Sequence, residues 1–428
     1  MRAGSYVSSA TGPRRGASLP SARLTIIVAT VTPTANQPHL ASADALVKIA
    51  ALAQAPLRFG HRVRVLKDGG LAFPAMLAVI RSAQRTVVFE NFIMAGDHTG
   101  REFAAALERA SGRGAGVRVI YDPVGTLLVR GGSIGRHLRR AGVRVRPFRP
   151  LSAMAPWSWT RLRHRDHRKL LIADGRFAVV GGLCIADSWA PSEEGGGGWR
   201  DTAILIRGPA VADLQVTFDR MWRRAHGNIE FPTLTGEERI TSLGEPYGDA
   251  AAIVVADRPL TNRVAAIYEW LADHAESAIE LTDAYFVAPP GVLDALVRAA
   301  RRGIRVRLLV PGRNNHPVAG LAARRIYDPL LAAGVQIYEW QGKMLHAKTI
   351  VVDGLISMIG SSNLDPLSLR RNYELNVLVG DPATGQTMRE LFEADVARST
   401  PVLPEEWRRR PFKARLAEAI ASIFAFNL

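Results

Sequence analysis

Two histidine–lysine pairs stand out as the residues able to do chemistry. His167 and Lys169 are followed by Asp174, and His346 and Lys348 by Asp353, so the pattern His-x-Lys-x4-Asp occurs twice. In HRKLLIADGRFAVVGGLC and HAKTIVVDGLISMIGSSN each motif reads as a strand, a turn at Asp-Gly and a return strand ending at glycine. Side chains two apart on a strand share a face, so each His points the same way as its Lys. That pairing suits phosphate chemistry. The imidazole attacks or moves a proton, and the ammonium neutralises oxygens as charge builds up. The chain has 10 His and only six Lys (Lys48, Lys67, Lys169, Lys343, Lys348, Lys413), and it uses Arg for nearly all its positive charge. Lys at both motif positions therefore marks a place where a compact charge is wanted. Asp174 and Asp353 complete the catalytic pattern from a turn, where the expected role of a carboxylate is to fix the hairpin.

The elements needed to position these groups come twice as well. RVRVLKDG reads as a strand and turn and FPAMLAVIRSA as a helix. TVVFENFIM, REFAAALERASGRG and VRVIYDPV read as strand, helix, strand, and HAESAIELTDAYFV, GVLDALVRAARRG and IRVRLLVPG repeat that order. A further helix and strand follow in each set, GSIGRHLRRAGVRVRPF and DPLLAAGVQIYEW, and then the motif. The alternation predicts an α/β class, and the matched placement of both motifs predicts a duplication. The expected parts are a tail over 1–57, with structure starting near His61, a first half over 58–240 and a second over 250–405. The boundary falls at TSLGEPYGDAA, and a basic segment follows over 406–428. The Gly195–Gly198 run reads as a surface loop, with no Lys or helix start after it to make a phosphate cradle.

Bulk properties narrow the partners. The chain of 428 residues is 47% hydrophobic and carries a formal charge of +16, which favours nucleic acid or an anionic membrane. The single cysteine, Cys184, excludes an intramolecular disulfide framework and leaves too few thiols for a zinc site. It fits a reducing compartment. No stretch has the roughly 18–20 apolar residues of a spanning helix. Leu24–Ala35 reads either as the apolar region of a signal peptide or as part of a poorly ordered extension.

These motifs identify the chain as a member of the phospholipase D superfamily, and it resembles the bacterial cardiolipin synthases, in particular the class without N-terminal transmembrane helices. The resemblance runs from about His61 to the C-terminus. It rests on AFPAMLAVI, FENFI, VRVIYD, HRKLLIADGRFAVVGG, WRDTAILIRGPAVADL, AYFVAP and LHAKTIVVDGLISMIGSSNLDPLSLRRNYELNV. It implies two α/β/α sandwich halves related by a pseudo-twofold axis, with one site built from both motifs in a single, monomeric chain. It also implies no metal and no cofactor, a phosphatidyl-histidine intermediate, His167 as nucleophile and His346 as acid and base. Lys169 and Lys348 would hold phosphate oxygens. By the same resemblance Asn363 contacts phosphate, Glu374 orients an imidazole and Asp201 is its first-half counterpart. One departure is Cys184, which stands where the family places an asparagine. The implied reaction is phosphatidyl transfer from one phospholipid, phosphatidylglycerol first, to a hydroxyl of another. A phospholipase using water, or a nuclease, shares the motif chemistry. The implied partners are phospholipid substrates and an anionic membrane surface, with no obligatory nucleic acid, and the implied location is peripheral on the cytoplasmic face of the cell membrane.

Two segments fit a lipid surface. In WRRRPFKARLAEAIASIFAFNL, cations at Arg408, Arg409, Arg410, Lys413 and Arg415 precede Leu416, Ile420, Ile423 and Phe424, which share a helical face. The alternative is a helix packed back on the domain. Trp157 and Trp159, beside Arg161, Arg163 and Arg165, can either reach an interface or pack in the core.

Overall fold

Among the described residues, short runs rich in Val, Ile and Leu, broken by Gly and Asp, form fifteen strands that join into a single sheet. The computed structural model describes residues 40, 42–127, 129, 134–150, 164–225 and 247–425. The strands are β1 (Leu57–Lys67), β2 (Thr86–Asn91), β3 (Gly116–Tyr121), β4 (Arg144–Pro147), β5 (Leu170–Ala173), β6 (Phe177–Gly181) and β7 (Thr202–Arg207) in the first half. The second half has β8 (Ala250–Asp257), β9 (Ala278–Thr282), β10 (Arg305–Pro311), β11 (Gln336–Trp340), β12 (Thr349–Val352), β13 (Ile356–Gly360), β14 (Glu374–Gly380) and the edge strand β15 (Ser399–Pro401).

The sheet order is β15-β11-β10-β9-β12-β13-β14-β8-β1-β7-β6-β5-β2-β3-β4. Reading outward from the β1–β8 junction gives the same sequence of strand types on both sides, which is the duplication expected from the motifs. In each half the two outer neighbours run parallel (β2 with β3, β9 with β10), and the motif hairpin is added antiparallel (β5–β6 and β12–β13). The junction is short and irregular, pairing Leu57 with Ile253 and His61 with Ala250.

Packing supplies what that junction lacks. Helices Asp68–Ser82 and His98–Gly112 cover one face of the first half, and helices Arg263–His274 and Pro290–Arg301 cover the matching face of the second. Between the halves lies a third core, in which Ile120, Leu170, Ile204 and Phe218 meet Val351, Ile359, Leu375 and Val377. Each large side chain buried there contributes about 1.5–3 kcal/mol. Such a core holds the halves together as one compact unit.

The expected tail is too long at its inner end. Helix Ala43–Ala53 is capped by the Ser42 hydroxyl, and it buries Ala45, Ile49 and Ala53 against the second half. Its spacing of four is a helical stripe made partly of alanine, which an Ala-rich composition conceals. The first strand likewise starts at Leu57, ahead of His61. Residues 1–39, Trp157 and Trp159 lie outside the described residues, as do Arg161, Arg163 and most of the boundary stretch.

Each motif hairpin turns at Asp-Gly with two successive left-handed residues: φ is 53° and 65° at Asp174 and Gly175, and 54° and 68° at Asp353 and Gly354. These are type I′ turns, closed by Arg176 N–H to Ala173 O and Leu355 N–H to Val352 O. The aspartates also tie the hairpins to the sheet. Asp174 accepts from the N–H groups of Gln84, Arg85 and Thr86, and Asp353 from those of Glu276, Ser277 and Ala278. Both carboxylates thus anchor the strand that runs beside the motif.

Candidate active site

His167 and His346 sit where the two halves meet, each pinned by backbone from the opposite half. His167 N–H donates to Tyr373 O and His346 N–H to Arg200 O, beside the isolated bridges Asp166–Tyr373 and Arg200–Leu345. The residue after each bridging partner is a buried carboxylate. Glu374 follows Tyr373 and accepts from Nδ1 of His167 at 3.0 Å. Asp201 follows Arg200 and accepts from Nδ1 of His346 at 2.8 Å. The carboxylates are therefore exchanged: each half supplies the group that orients the other half's histidine. This arrangement makes one composite site and fixes both tautomers, leaving Nε2 of each ring for chemistry.

The lysines complete the cluster. Lys169 Nζ lies 2.5 Å from the His167 carbonyl, and Lys348 donates to the His346 carbonyl. Lys348 Nζ is also 3.0 Å from His346 Nδ1, but a nitrogen donating its proton to Asp201 has no lone pair left for an ammonium. That contact is a close charge. Burial, with Lys348 next in effect, pushes the His346 imidazole down to about 3 in spite of Asp201. Burial also lowers His167; Glu374 opposes the shift, and Lys169 and Lys348 add to it. Lys348 itself is lowered to about 8 by burial. Burial acts upward on Asp201 and Glu374, but their histidines and the lysines outweigh it and keep both carboxyls below their ordinary range. Each histidine feels both ammonium groups, so the four side chains form one electrostatic unit.

The carboxylates differ in their supports. Glu374 accepts a hydrogen bond from the Ser361 hydroxyl, which in turn accepts from Leu375 N–H. At the matching place in the first half stands Gly182, where a Cβ would lie 2.2 Å from Asp201 Oδ1. Asp201 accepts instead from Trp189 Nε1 at 2.8 Å and from Thr202 N–H. Trp189 and Trp199 also pack on the His346 ring, at 5.1 and 5.8 Å between centroids, with Tyr285 at 6.1 Å; Phe92 packs on His167 at 4.9 Å. None of Trp189, Ser361, Gly182 or Tyr285 was singled out by the sequence reading. The only signal was the mismatch of GGLC with GSSN after the two hairpins.

Cys184 and Asn363 occupy equivalent, buried positions. Asn363 Nδ2 donates to Ser368 Oγ at 3.3 Å, and its Oδ1 has no partner. Burial raises the Cys184 thiol, with the nearby Lys169 opposing, so it remains a neutral, weak donor. The expected consequence is unequal loss. With Asn363 on the phosphate, as the resemblance implies, Asn363→Ala should lower kcat by about 10²–10³, the usual effect of removing one oxyanion donor. Cys184→Ala should lower it less than about tenfold. Equal losses in steady-state kinetics would place the thiol on the phosphate too.

Arg165 does not extend towards a membrane as its neighbours suggested. It is buried, held by Asp122 at 2.6 Å and by Phe148 O. The Gly195–Gly198 loop has its N–H groups taken by Ser192, Pro191, Asp187 and Ala190 carbonyls, so it offers no phosphate cradle. Among the described residues no group of three or more His, Cys, Asp or Glu could hold a metal ion, and no helix is long and apolar enough to cross a membrane.

Comparison with known proteins agrees with the fold. A family model described as "Cardiolipin synthase, PLD-like domain" matches residues 76–222 and 270–396, one segment in each half. The cardiolipin synthase of Geobacillus thermodenitrificans is 32% identical over 377 residues, which cover 87% of this chain and 74% of that protein. A probable cardiolipin synthase of Bacillus subtilis is 28% identical over 85% of this chain and 71% of its own. The crystal structure of phosphatidylserine synthase from Haemophilus influenzae superposes with a TM-score of 0.68 at 13% identity, covering 90% of this chain and 99% of that one, a likeness of fold. With a family segment on each half and both motifs joined in one site, the chain belongs to the cardiolipin synthase family of the phospholipase D superfamily and is a transferase of the phospholipase D type.

Proposed function

We propose that this protein makes cardiolipin from two molecules of phosphatidylglycerol, through a phosphatidyl-histidine. The observation that carries the reading is the exchanged pair His167–Glu374 and His346–Asp201, with a lysine beside each imidazole. In the first step Nε2 of His167 attacks phosphorus and the bond to the glycerol oxygen breaks. The proton for that oxygen comes from Nε2 of His346, and free glycerol leaves. In the second step His346 takes the proton from a hydroxyl of a second phosphatidylglycerol, whose oxygen attacks phosphorus and displaces His167. Lys169 and Lys348 neutralise the phosphate oxygens in both transition states.

Burial and the lysines favour neutral imidazoles, yet the first step needs one of them protonated. A phosphate anion between the two ammonium groups offsets their charge and raises both rings, so substrate itself prepares the acid. Phosphatidylglycerol vesicles incubated with the protein should yield cardiolipin and glycerol in equal amounts, with or without EDTA. Phosphatidic acid as the sole lipid product would instead assign a hydrolase. Loss of turnover in EDTA, restored by a divalent ion, would overturn the metal-free mechanism.

A further inference from the structure

The C-terminal helix Phe412–Ala425 packs back on the domain along one side, as one of the two alternatives raised for it expects. It packs against helix Pro317–Arg325, with Ala421 buried beside Ala322. Its one acid, Glu418, is buried, 3.1 Å from Arg410 and 3.7 Å from Arg324. The opposite side is bare. Phe412 is 75% exposed, Leu416 48%, Ile420 49% and Ile423 69%. At 3.6 residues per turn these four lie within about 80° of arc, and Ala421 lies about 180° from Phe412. Val318 and Leu321 on the neighbouring helix are exposed as well, so the two helices share an apolar ridge.

Cations outnumber acids around the ridge, where the partly exposed acid is Asp328, 3.9 Å from Arg325. Exposed Lys413 and Arg415 flank the stripe on either side, about 100° and 60° from Phe412. Exposed Arg408, Arg409, Arg313 and Arg325 lie on the adjoining segments. The exposed acids Glu405 and Glu406 sit one short helix upstream, ahead of Pro411. Beneath helix Pro317–Arg325 is a cavity of about 420 Å³ lined by Phe286, Val310, Pro317, Leu321 and Tyr327. Ala284 is also in its wall, one residue from Tyr285, whose ring faces His346. Leu321 thus belongs to both ridge and cavity wall, and Ala284 in that wall adjoins Tyr285 in sequence.

We infer that the ridge formed by helices Pro317–Arg325 and Phe412–Ala425 is the face on which the protein lies in an anionic bilayer. This rests on the lipid reading above and adds to it the surface that meets the membrane. Four apolar side chains enter the acyl boundary, and the flanking cations meet anionic headgroups.

The test is the double substitution Phe412→Asp/Ile423→Asp, at two exposed positions away from the catalytic cluster. Co-sedimentation with phosphatidylcholine vesicles containing phosphatidylglycerol should fall about a hundredfold or more, while the thermal midpoint stays unchanged. Turnover of a short-chain, monomeric phosphatidylglycerol should be kept. Lys413→Glu/Arg415→Glu should weaken binding to these vesicles at low salt and leave binding to pure phosphatidylcholine unaltered. Vesicle binding retained within threefold by the double variant would overturn the inference, as would equal loss of turnover on short-chain substrate. A dimer of the wild type split by the same substitutions, with vesicle binding unchanged, would assign the ridge to a second copy instead. Vesicle binding through this face by a protein that turns over neither substrate would uphold the docking surface and reject the transferase reading.

Discussion

His346→Asn is expected to stop turnover of phosphatidylglycerol yet still release about one equivalent of p-nitrophenol from a phosphatidyl p-nitrophenol. A glycerol oxygen leaves only with a proton, and losing the general acid lowers that step by about 10²–10⁴. A p-nitrophenolate leaves without one, so His167 can still be loaded, after which the second step stalls for want of a base. His167→Asn is expected to lower kcat by about 10⁴ or more with both substrates, because no covalent intermediate forms. Asparagine suits both tests, since its N–H can donate to Glu374 or Asp201 and spare those buried carboxylates an unpaired state. The readouts are a pre-steady-state burst and mass spectrometry of acid-labile phosphatidyl-enzyme. A burst from His167→Asn and none from His346→Asn would reverse the two roles. Full steady-state activity in either variant would end the two-histidine scheme.

The motifs were legible because strand alternation and the repeat of one pattern depend only on neighbours in the chain. His167 with Lys169, His346 with Lys348 and the Asp-Gly turns are all of this local kind, and so are most of the strands and helices. The exchange of carboxylates is of another kind. Glu374 reaches His167 across 207 residues and Asp201 reaches His346 across 145. Both acids could be picked out from the family pattern, but which histidine each would serve depends on how the halves close. That closure is set by the third core and the two backbone bridges, neither of which has a local signature. Trp189 was hidden for the same reason, as its indole meets the His346 ring across the halves as well as Asp201. Helix Ala43–Ala53 was missed for a different one: alanine at buried positions gives little hydrophobic contrast, and packing against the second half supplies its stability. The C-terminal helix was legible as amphipathic, but its partner was not, because Glu418 reads as a surface acid until Arg324 and Arg410 are found around it.

Asp201→Asn and Glu374→Gln are expected to differ, although the two carboxylates are equivalent by symmetry. Each should cost about 10³–10⁴ in kcat, as removal of a histidine-orienting carboxylate does elsewhere. Their stability should separate them. Asp201 accepts from three donors, His346 Nδ1, Trp189 Nε1 and Thr202 N–H, and all three are held in place. An asparagine must turn its NH₂ towards at least one of them, leaving buried donors unpaired at a cost of about 1–3 kcal/mol. Around Glu374 one donor is the Ser361 hydroxyl, which can rotate and accept from a glutamine NH₂. Asp201→Asn should therefore lower the thermal midpoint by several degrees and Glu374→Gln by clearly less. Their pH profiles should also part. Asp201 raises the His346 pKa, so its loss lowers that pKa further. With His346 as the acid, its protonated form in the substrate complex is then lost sooner as pH rises, and the alkaline limb of kcat moves to lower pH. Glu374 raises the His167 pKa. With His167 as the nucleophile, losing Glu374 keeps the ring neutral to lower pH, so the acid limb moves down and the alkaline limb stays. Movement of the alkaline limb in Glu374→Gln alone would mean that His167 carries the proton and His346 makes the bond.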